Sequence, residues 1–392
     1  MSPAAGTGLV LPGGGARAAY QVGALRAIAR LLPKGPTQPF QVICGTSAGA
    51  INAAMLATRA NSFRCGVARL LRLWRRINVM DIYRTDVGTL ARHGALLLAT
   101  LLGGSHGPRR TASLLDNAPL GELLRRDIDF QRIAAHIDAG HLRALGISAT
   151  SYGSGHAVTF YEGAAEIAPW QRVRRRGERC RVDAGHLMAS TAIPLVFPAA
   201  RIGADYYMDG SVRQIAPLAP ALHLGATRIV VVAVGQFGGQ PVAPGPLCYP
   251  SLGQTAGHAL SSIFLDNLAA DLERLHKINR LVGLAPPASL DLPGIGVRRV
   301  DVLVLLPRRD LGAMALAYAH RLPRAVHYLL RGQRSMRGTG VNLLSYLLFD
   351  RDYCRALIRE GFADAMARRD ELVAFIGGEH RGYLPLFPPE FL

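Results

Sequence analysis

Phe40-Gln41-Val42-Ile43-Cys44 runs uncharged into Gly45-Thr46-Ser47-Ala48-Gly49, and small residues continue to Ala57. The first run reads as a strand and the last as a helix. A strand that turns directly into a helix through Gly-x-Ser-x-Gly is the setting of a nucleophile elbow. Such a turn is so sharp that its flanks must be tiny, which Gly45 and Gly49 satisfy. It exposes the Ser47 hydroxyl at a helix N-terminus, where the dipole favours a developing negative charge. The plainer reading is a Ser/Gly turn that only caps a helix.

The same alternation occurs upstream. Gly8-Leu9-Val10-Leu11-Pro12 reads as a strand, Gly13-Gly14-Gly15-Ala16-Arg17-Ala18 as a loop, and Tyr20, Val22, Leu25, Ile28 and Leu31 mark a helix. Strand, loop, helix, strand, turn, helix predicts a parallel sheet covered by helices. Further strands are expected over 142–150, 157–161, 229–234 and 300–306. Residues 66–80 read as an amphipathic helix packed on the core, with a lipid-facing role as the alternative. Residues 94–103 are the longest uncharged apolar run, read as a buried helix or as a cover that meets lipid. Residues 238–253 read as a Gly/Pro-rich loop, followed by helical pattern through 263–278. After Pro307 the pattern is helical to about residue 376. The expected division is an α/β domain over 7–310, with core motifs at 8–220, and a helical extension over 311–392.

With 49% hydrophobic residues in 392, the chain can bury a sizeable core. Its five cysteines are odd in number and scattered, which indicates neither a disulfide framework nor a zinc site and fits a reduced, cytoplasmic compartment. No signal-peptide pattern and no apolar run near the ~20 residues of a membrane span is visible. The net charge is +18. Either it draws the protein to an anionic surface, or it is compositional drift in an arginine-rich chain whose only lysines are Lys34 and Lys277. The densest basic run, Arg172 and Arg174 to Arg176 with Arg179 and Arg181, reads as a solvated loop or as a contact with anionic lipid. Nucleic acid is disfavoured as a partner, since aromatics are only 7% and no binding module is present.

A nucleophilic serine needs an oxyanion site and a proton acceptor. The glycines at 13–15 can supply the first, because backbone N–H groups without flanking side chains can converge on one anionic atom. Gly13, Gly15 and Ala18 also fit a dinucleotide fingerprint, but that reading needs an acidic residue after the second strand, and no Asp or Glu precedes Asp81. A Walker loop is excluded, because no Gly-Lys-Ser/Thr occurs. Any carboxylate serving Ser47 therefore comes from far along the chain. Asp209 is the best candidate: it ends Asp205-Tyr206-Tyr207-Met208 and precedes Gly210-Ser211, although Asp-Gly is also an ordinary hairpin turn. His186 and His223 remain as other bases, neither in a motif.

Gly-Gly-Gly-Ala-Arg, Gly-Thr-Ser-Ala-Gly and Asp-Gly, in that order, resemble the patatin-like phospholipases. The segments 115–120, 189–198 and 344–350 are similar to stretches of the family's bacterial branch, and the resemblance spans about 7–375. It implies a three-layer α/β/α fold with a mainly parallel sheet. It also implies a Ser-Asp dyad, with Ser47 as nucleophile and Asp209 as general base, and no catalytic histidine. Gly13, Gly14, Gly15, Ala16 and Arg17 would form the oxyanion hole. The reaction implied is hydrolysis of phospholipid acyl esters through an acyl-serine intermediate, without metal or cofactor. An acyltransferase on the same site and an idle lipid-binding protein are the alternatives. The expected setting is cytoplasmic, peripheral on the inner face of an anionic membrane. Ala18 departs from the family's glycine and Ser211 from its usual Gly or Ala. A free carboxylate near pKa ~3.9 is a poor base for a hydroxyl, so Asp209 is expected to be buried and hydrogen-bonded directly to Ser47.

Overall fold

Strand β1 (Gly6–Leu11) sends Leu9 and Leu11 into one apolar cluster and Val10 into another. Successive side chains of a strand point to opposite faces, so both faces of this sheet require cover. The computed structural model describes residues 6–35, 37–86, 113–236, 252–284, 298–322 and 340–379, with 88, 92 and 95.

The other strands are β2 (Val42–Thr46), β3 (Ala144–Ser151), β4 (Ala157–Gly163), β5 (Trp170–Arg172), β6 (Arg175–Arg179), β7 (Ala200–Ile202), β8 (Asp205–Asp209), β9 (Ala226–Val232) and β10 (Asp301–Leu305). They form one sheet in the order β10-β9-β1-β2-β3-β4-β6-β5, with β8 on β3 and β7 on β8. From β10 to β3 every pairing is parallel. β4 runs antiparallel to β3, and β6 parallel to β4.

In chain order the helices begin with α1 (Ala19–Leu31), α2 (Ala48–Ala57) and α3 (Phe63–Arg76). Next come α4 (Ala118–Asp127), α5 (Gln131–Asp138), α6 (Ala184–Ser190), α7 (Ala219–His223) and α8 (Leu252–Leu284). The last are α9 (Leu311–Leu316), α10 (Gly340–Leu347), α11 (Arg351–Ala367) and α12 (Arg369–Gly377). Leu25 of α1, Ala53 of α2, Leu70 of α3 and Leu357 of α11 share the larger cluster with Leu9 and Val230. On the opposite face, Ala221 of α7 and Leu272 of α8 pack with Val10 and Val231. The result is three layers, α/β/α.

Several boundaries differ from expectation. Helix α3 starts at Phe63, whose ring packs edge-on against Phe40 at 5.4 Å, and it ends at Arg76 because Ile77 is extended. The basic run is not a loop but a hairpin, β5 with β6. Apart from Ala95, 94–103 lies outside the described residues, as does the expected loop up to 251; residues 252 and 253 already belong to α8. Of the described residues after Pro307, helix α11 packs against α1. Tyr20 in α1 donates from its hydroxyl to Asp364 of α11 at 3.0 Å.

Helices α1 and α11 meet so closely that a Cβ on Gly23 would overlap the Ile358 carbonyl, and one on Gly361 would overlap that of Tyr20. Gly23→Ala should therefore cost about 1–3 kcal/mol in chemical denaturation, because a helix backbone cannot yield as a side chain can. An unchanged midpoint would contradict this packing.

Candidate active site

One edge of β3 is shared by two strands. β2 pairs with it as far as Thr46, opposite Ser148, and β8 takes over with Asp209 opposite Ala149. Ser47 leaves the sheet where Asp209 ends its strand, so residues distant in sequence meet head to head.

Ser47 itself has φ 54° and ψ −131°. Positive φ is uncommon for a non-glycine residue and costs of order 1–3 kcal/mol. Its neighbours enforce it. A Cβ on Gly49 would overlap the Leu11 carbonyl oxygen, and one on Gly45 would come within 2.5 Å of the Gly49 carbonyl oxygen. The Ser47 N–H donates to Ser190 Oγ at 2.8 Å, and that hydroxyl donates to the Ser148 carbonyl at 2.6 Å. Ser190 thus ties the elbow to β3. Thr46 Oγ1 donates to Gln214 Oε1 at 2.8 Å, and Gln214 Nε2 donates to Ser148 Oγ at 3.1 Å.

Asp209 is 1% exposed. Its Oδ1 accepts from the Ser211 N–H at 2.9 Å, while Oδ2 has no hydrogen-bond partner among the described residues. Burial pushes the carboxyl up to about 6, opposed by the nearby Ser47 hydroxyl and the Ser211 backbone N–H. The burial matches expectation; the direct hydrogen bond does not. The Ser47 hydroxyl is close enough to stabilise the carboxylate, yet no bond of normal geometry joins them, which leaves Oδ2 open. Gly210 begins a 3-10 turn, Gly210–Val212, rather than a hairpin.

The glycine loop lies beside the elbow. After Gly13 and Gly14 the chain enters a 3-10 turn, Gly15–Ala18, that continues into α1, and Gly14 has no side chain to cap it. Gly15 has φ 52°, and a Cβ there would overlap the Tyr346 carbonyl. Ala16 is fully buried. Arg17, also buried, donates from Nε to Ser345 Oγ at 2.7 Å, with its guanidinium 4.5 Å from the centre of the Tyr346 ring. The C-terminal segment therefore braces this loop.

Beneath the loop and the elbow, Asn52 joins three elements. Its Nδ2 donates to Gln21 Oε1 at 2.9 Å and to the Ala18 carbonyl at 3.2 Å, and Trp74 Nε1 donates to its Oδ1 at 2.7 Å. Gln21 Nε2 continues the chain of bonds to the Pro12 carbonyl at 2.8 Å.

Ser47 and Gly15 open onto a slot lined by apolar side chains, among them Ile51, Trp74, Leu123, Phe197, Tyr346 and Phe349. Its interior is about 30 Å³, room for one or two waters. Side chains must part before an alkyl chain can enter.

The histidines are occupied elsewhere. His186 Nδ1 lies 2.7 Å from Asp183 Oδ1, with its ring against Phe160. His223 stacks on Trp170 at 4.7 Å; burial, with Arg172, Arg175 and Arg298 nearby, lowers its pKa to about 4. Among the described residues no cluster of three or more His, Cys, Asp or Glu could hold a metal, and no helix is long and apolar enough to cross a membrane.

Sequence reasoning missed Ser190, Asn52 and Gln214. Only Asn52 carried a signal, as the one amide-bearing residue in the small apolar run of α2.

A sequence model described as patatin-like phospholipase matches residues 9–222, more than half of the chain. A search of curated proteins returns no match. Among solved structures, VipD from Legionella pneumophila is 13% identical, with 94% of this chain and 68% of that one covered and a TM-score of 0.32. The type III effector protein ExoU is 16% identical, with 97% and 90% covered and a TM-score of 0.26.

Asn52→Ala leaves the Trp74 N–H and the Gln21 amide without their buried partner. It should cost about 2–4 kcal/mol in urea unfolding, while a loss below about 0.5 kcal/mol would mean that this network holds nothing together.

Proposed function

Because the chain belongs to the patatin-like phospholipase family, which makes it a lipid acyl hydrolase, we propose that it cleaves phospholipid acyl esters by a Ser47–Asp209 dyad. The observation that carries this reading is a strained serine facing a buried carboxylate whose Oδ2 is open.

In the proposed reaction, Ser47 Oγ attacks the ester carbonyl as its proton passes to Asp209 Oδ2. A hydroxyl is a weak nucleophile at its own pKa and needs this adjacent base. The carbonyl oxygen becomes an oxyanion and accepts hydrogen bonds from backbone N–H groups of the loop 13–17. Each such donor is typically worth about 3 kcal/mol in the transition state. The tetrahedral intermediate then collapses. The carbon–oxygen bond to the leaving lysolipid breaks, and its alkoxide takes the proton from Asp209. Water gives a proton to the same carboxylate as it attacks the acyl-Ser47 carbonyl. The acyl–Oγ bond then breaks, Ser47 Oγ takes the proton back from Asp209, and the fatty acid leaves the site in its starting state. The slot beside Ser47 holds the acyl chain, and the positive charge of the protein favours substrate in an anionic membrane, met peripherally.

A carboxylate that titrates near 6 serves as a base at neutral pH and is spent below that. Hydrolysis of a short-chain p-nitrophenyl ester should rise with pH through about 6 and then level off. Ser47→Ala and Asp209→Asn should each lower the rate by a factor of about 10³ or more. Equal rates for wild type and Ser47→Ala would overturn the proposal. Retained activity in Asp209→Asn would move the base elsewhere.

Stability carries an independent sign. Folding raises the pKa of Asp209, so the native state binds more protons than the unfolded chain between pH 4 and 6. Its contribution to stability therefore falls as pH rises through that window. Asp209→Asn should flatten this dependence and stabilise the fold at pH 7 by on the order of 2 kcal/mol, read from denaturation midpoints. A destabilised Asn variant would contradict the burial penalty.

A further inference from the structure

From the strand register and the exposed charge at one end of the sheet, we infer that the tip of the β5–β6 hairpin seats the catalytic edge on an anionic bilayer. The inference rests on the lipid-hydrolase reading of Ser47 and deepens it.

Thr46, Ser148, Thr159 and Gly177 lie in one row across β2, β3, β4 and β6. β6 runs opposite to β2, so the step from Thr46 to Ser47 is matched by the step from Gly177 back to Arg176. The turn at Val173 and Arg174 follows beyond Arg175, past the row of Ser47 on the same edge of the sheet. At ~4.8 Å per strand spacing it lies roughly 14 Å to the side, and at ~3.3 Å per residue it projects roughly 7–10 Å further out.

The tip has the composition of a lipid contact. Val173 is 85% exposed, the most exposed large apolar side chain among the described residues. Arg172 and Arg174 flank it, both exposed and neither paired with a carboxylate among the described residues, although Arg172 Nη1 donates to the Gln171 carbonyl at 2.8 Å. Arg174, in the turn, takes φ 56°, a conformation a non-glycine residue seldom adopts. The base of the hairpin is rigid, with Trp170 packed over Gly177 and stacked on both Tyr161 and His223. Tyr152 and Tyr206, each 48% exposed, lie on the same edge, where β3 ends and β8 begins.

An apolar tip between two exposed arginines suits a surface that is anionic outside and hydrocarbon beneath. Each arginine near such a surface adds attraction that salt screens. Valine gains from burial only if it passes the headgroups. Contact there would turn the mouth beside Ser47 toward the lipid.

The test is co-sedimentation of the full chain with phosphatidylcholine vesicles and with vesicles that also contain phosphatidylglycerol. Arg172→Ser/Val173→Ser/Arg174→Ser should weaken binding to the mixed vesicles by about tenfold or more, and high salt should erase the difference. Its hydrolysis of a soluble p-nitrophenyl ester should equal that of the wild type. Arg30→Ser/Lys34→Ser removes the same charge from the opposite end of the sheet and should leave vesicle binding within about twofold. Equal losses from the two variants would make the attraction general and overturn the proposal. So would no loss from the triple variant. A wild type that binds the mixed vesicles through this tip but hydrolyses no ester would instead sink the hydrolase reading.

Discussion

The site depends on the exchange of partners along one edge of β3. β2 pairs with it up to Thr46 and β8 from Asp209 onward, so the first strand to leave and the second to arrive abut. A continuous strand in either position would bury its own ends and separate the hydroxyl from the carboxyl. β8 joins the edge of β3 opposite to the one that β4 occupies. The cost of the junction is local: a positive φ at Ser47 and an acid far from water. The surrounding structure supports both: the Ser190 hydroxyl holds the elbow at Ser47, and the Ser211 N–H bonds Asp209. Strain and a buried ionisable group of this kind persist only where neighbouring packing over-determines them.

Much of this was legible in the residues. The alternation of apolar runs with Gly-rich turns announced a parallel sheet because parallel pairing requires helical crossovers, and both β1 and β9 show the two-sided burial expected of it. The elbow was legible because only small residues fit its flanks. Asp209 stood out only as the acid that ends an aromatic strand and precedes glycine, since the absence of acid in the first 80 residues leaves every later carboxylate open. What the sequence did not disclose was long-range. The arginine run looks like a solvated loop, and only pairing with β4 makes it a hairpin. Ser190 and Gln214 are ordinary polar residues until the fold brings them under the elbow. Nor does periodicity tell that the helices after Pro307 brace the glycine loop, as Ser345 and Tyr346 do through Arg17 and Gly15.

Under the proposed dyad, the hydrogen bond that Ser47 and Asp209 lack would form as the ester binds. A free Oδ2 with a pKa near 6 is partly protonated below neutrality and available above it. Catalytic hydrogen bonds commonly tighten only when substrate occupies the site. The narrow apolar slot beside Ser47 is where the proposed reaction would place the acyl chain.

The central claim is that one hydroxyl is made nucleophilic by one buried carboxylate. Labelling with a fluorophosphonate, followed by mass spectrometry of the digested protein, tests it most directly. The account predicts phosphonylation of Ser47 alone, at a rate that climbs with pH through about 6 and collapses when Asp209 is replaced by asparagine. Label on another residue, or a Ser47 rate indifferent to both pH and Asp209, would contradict it.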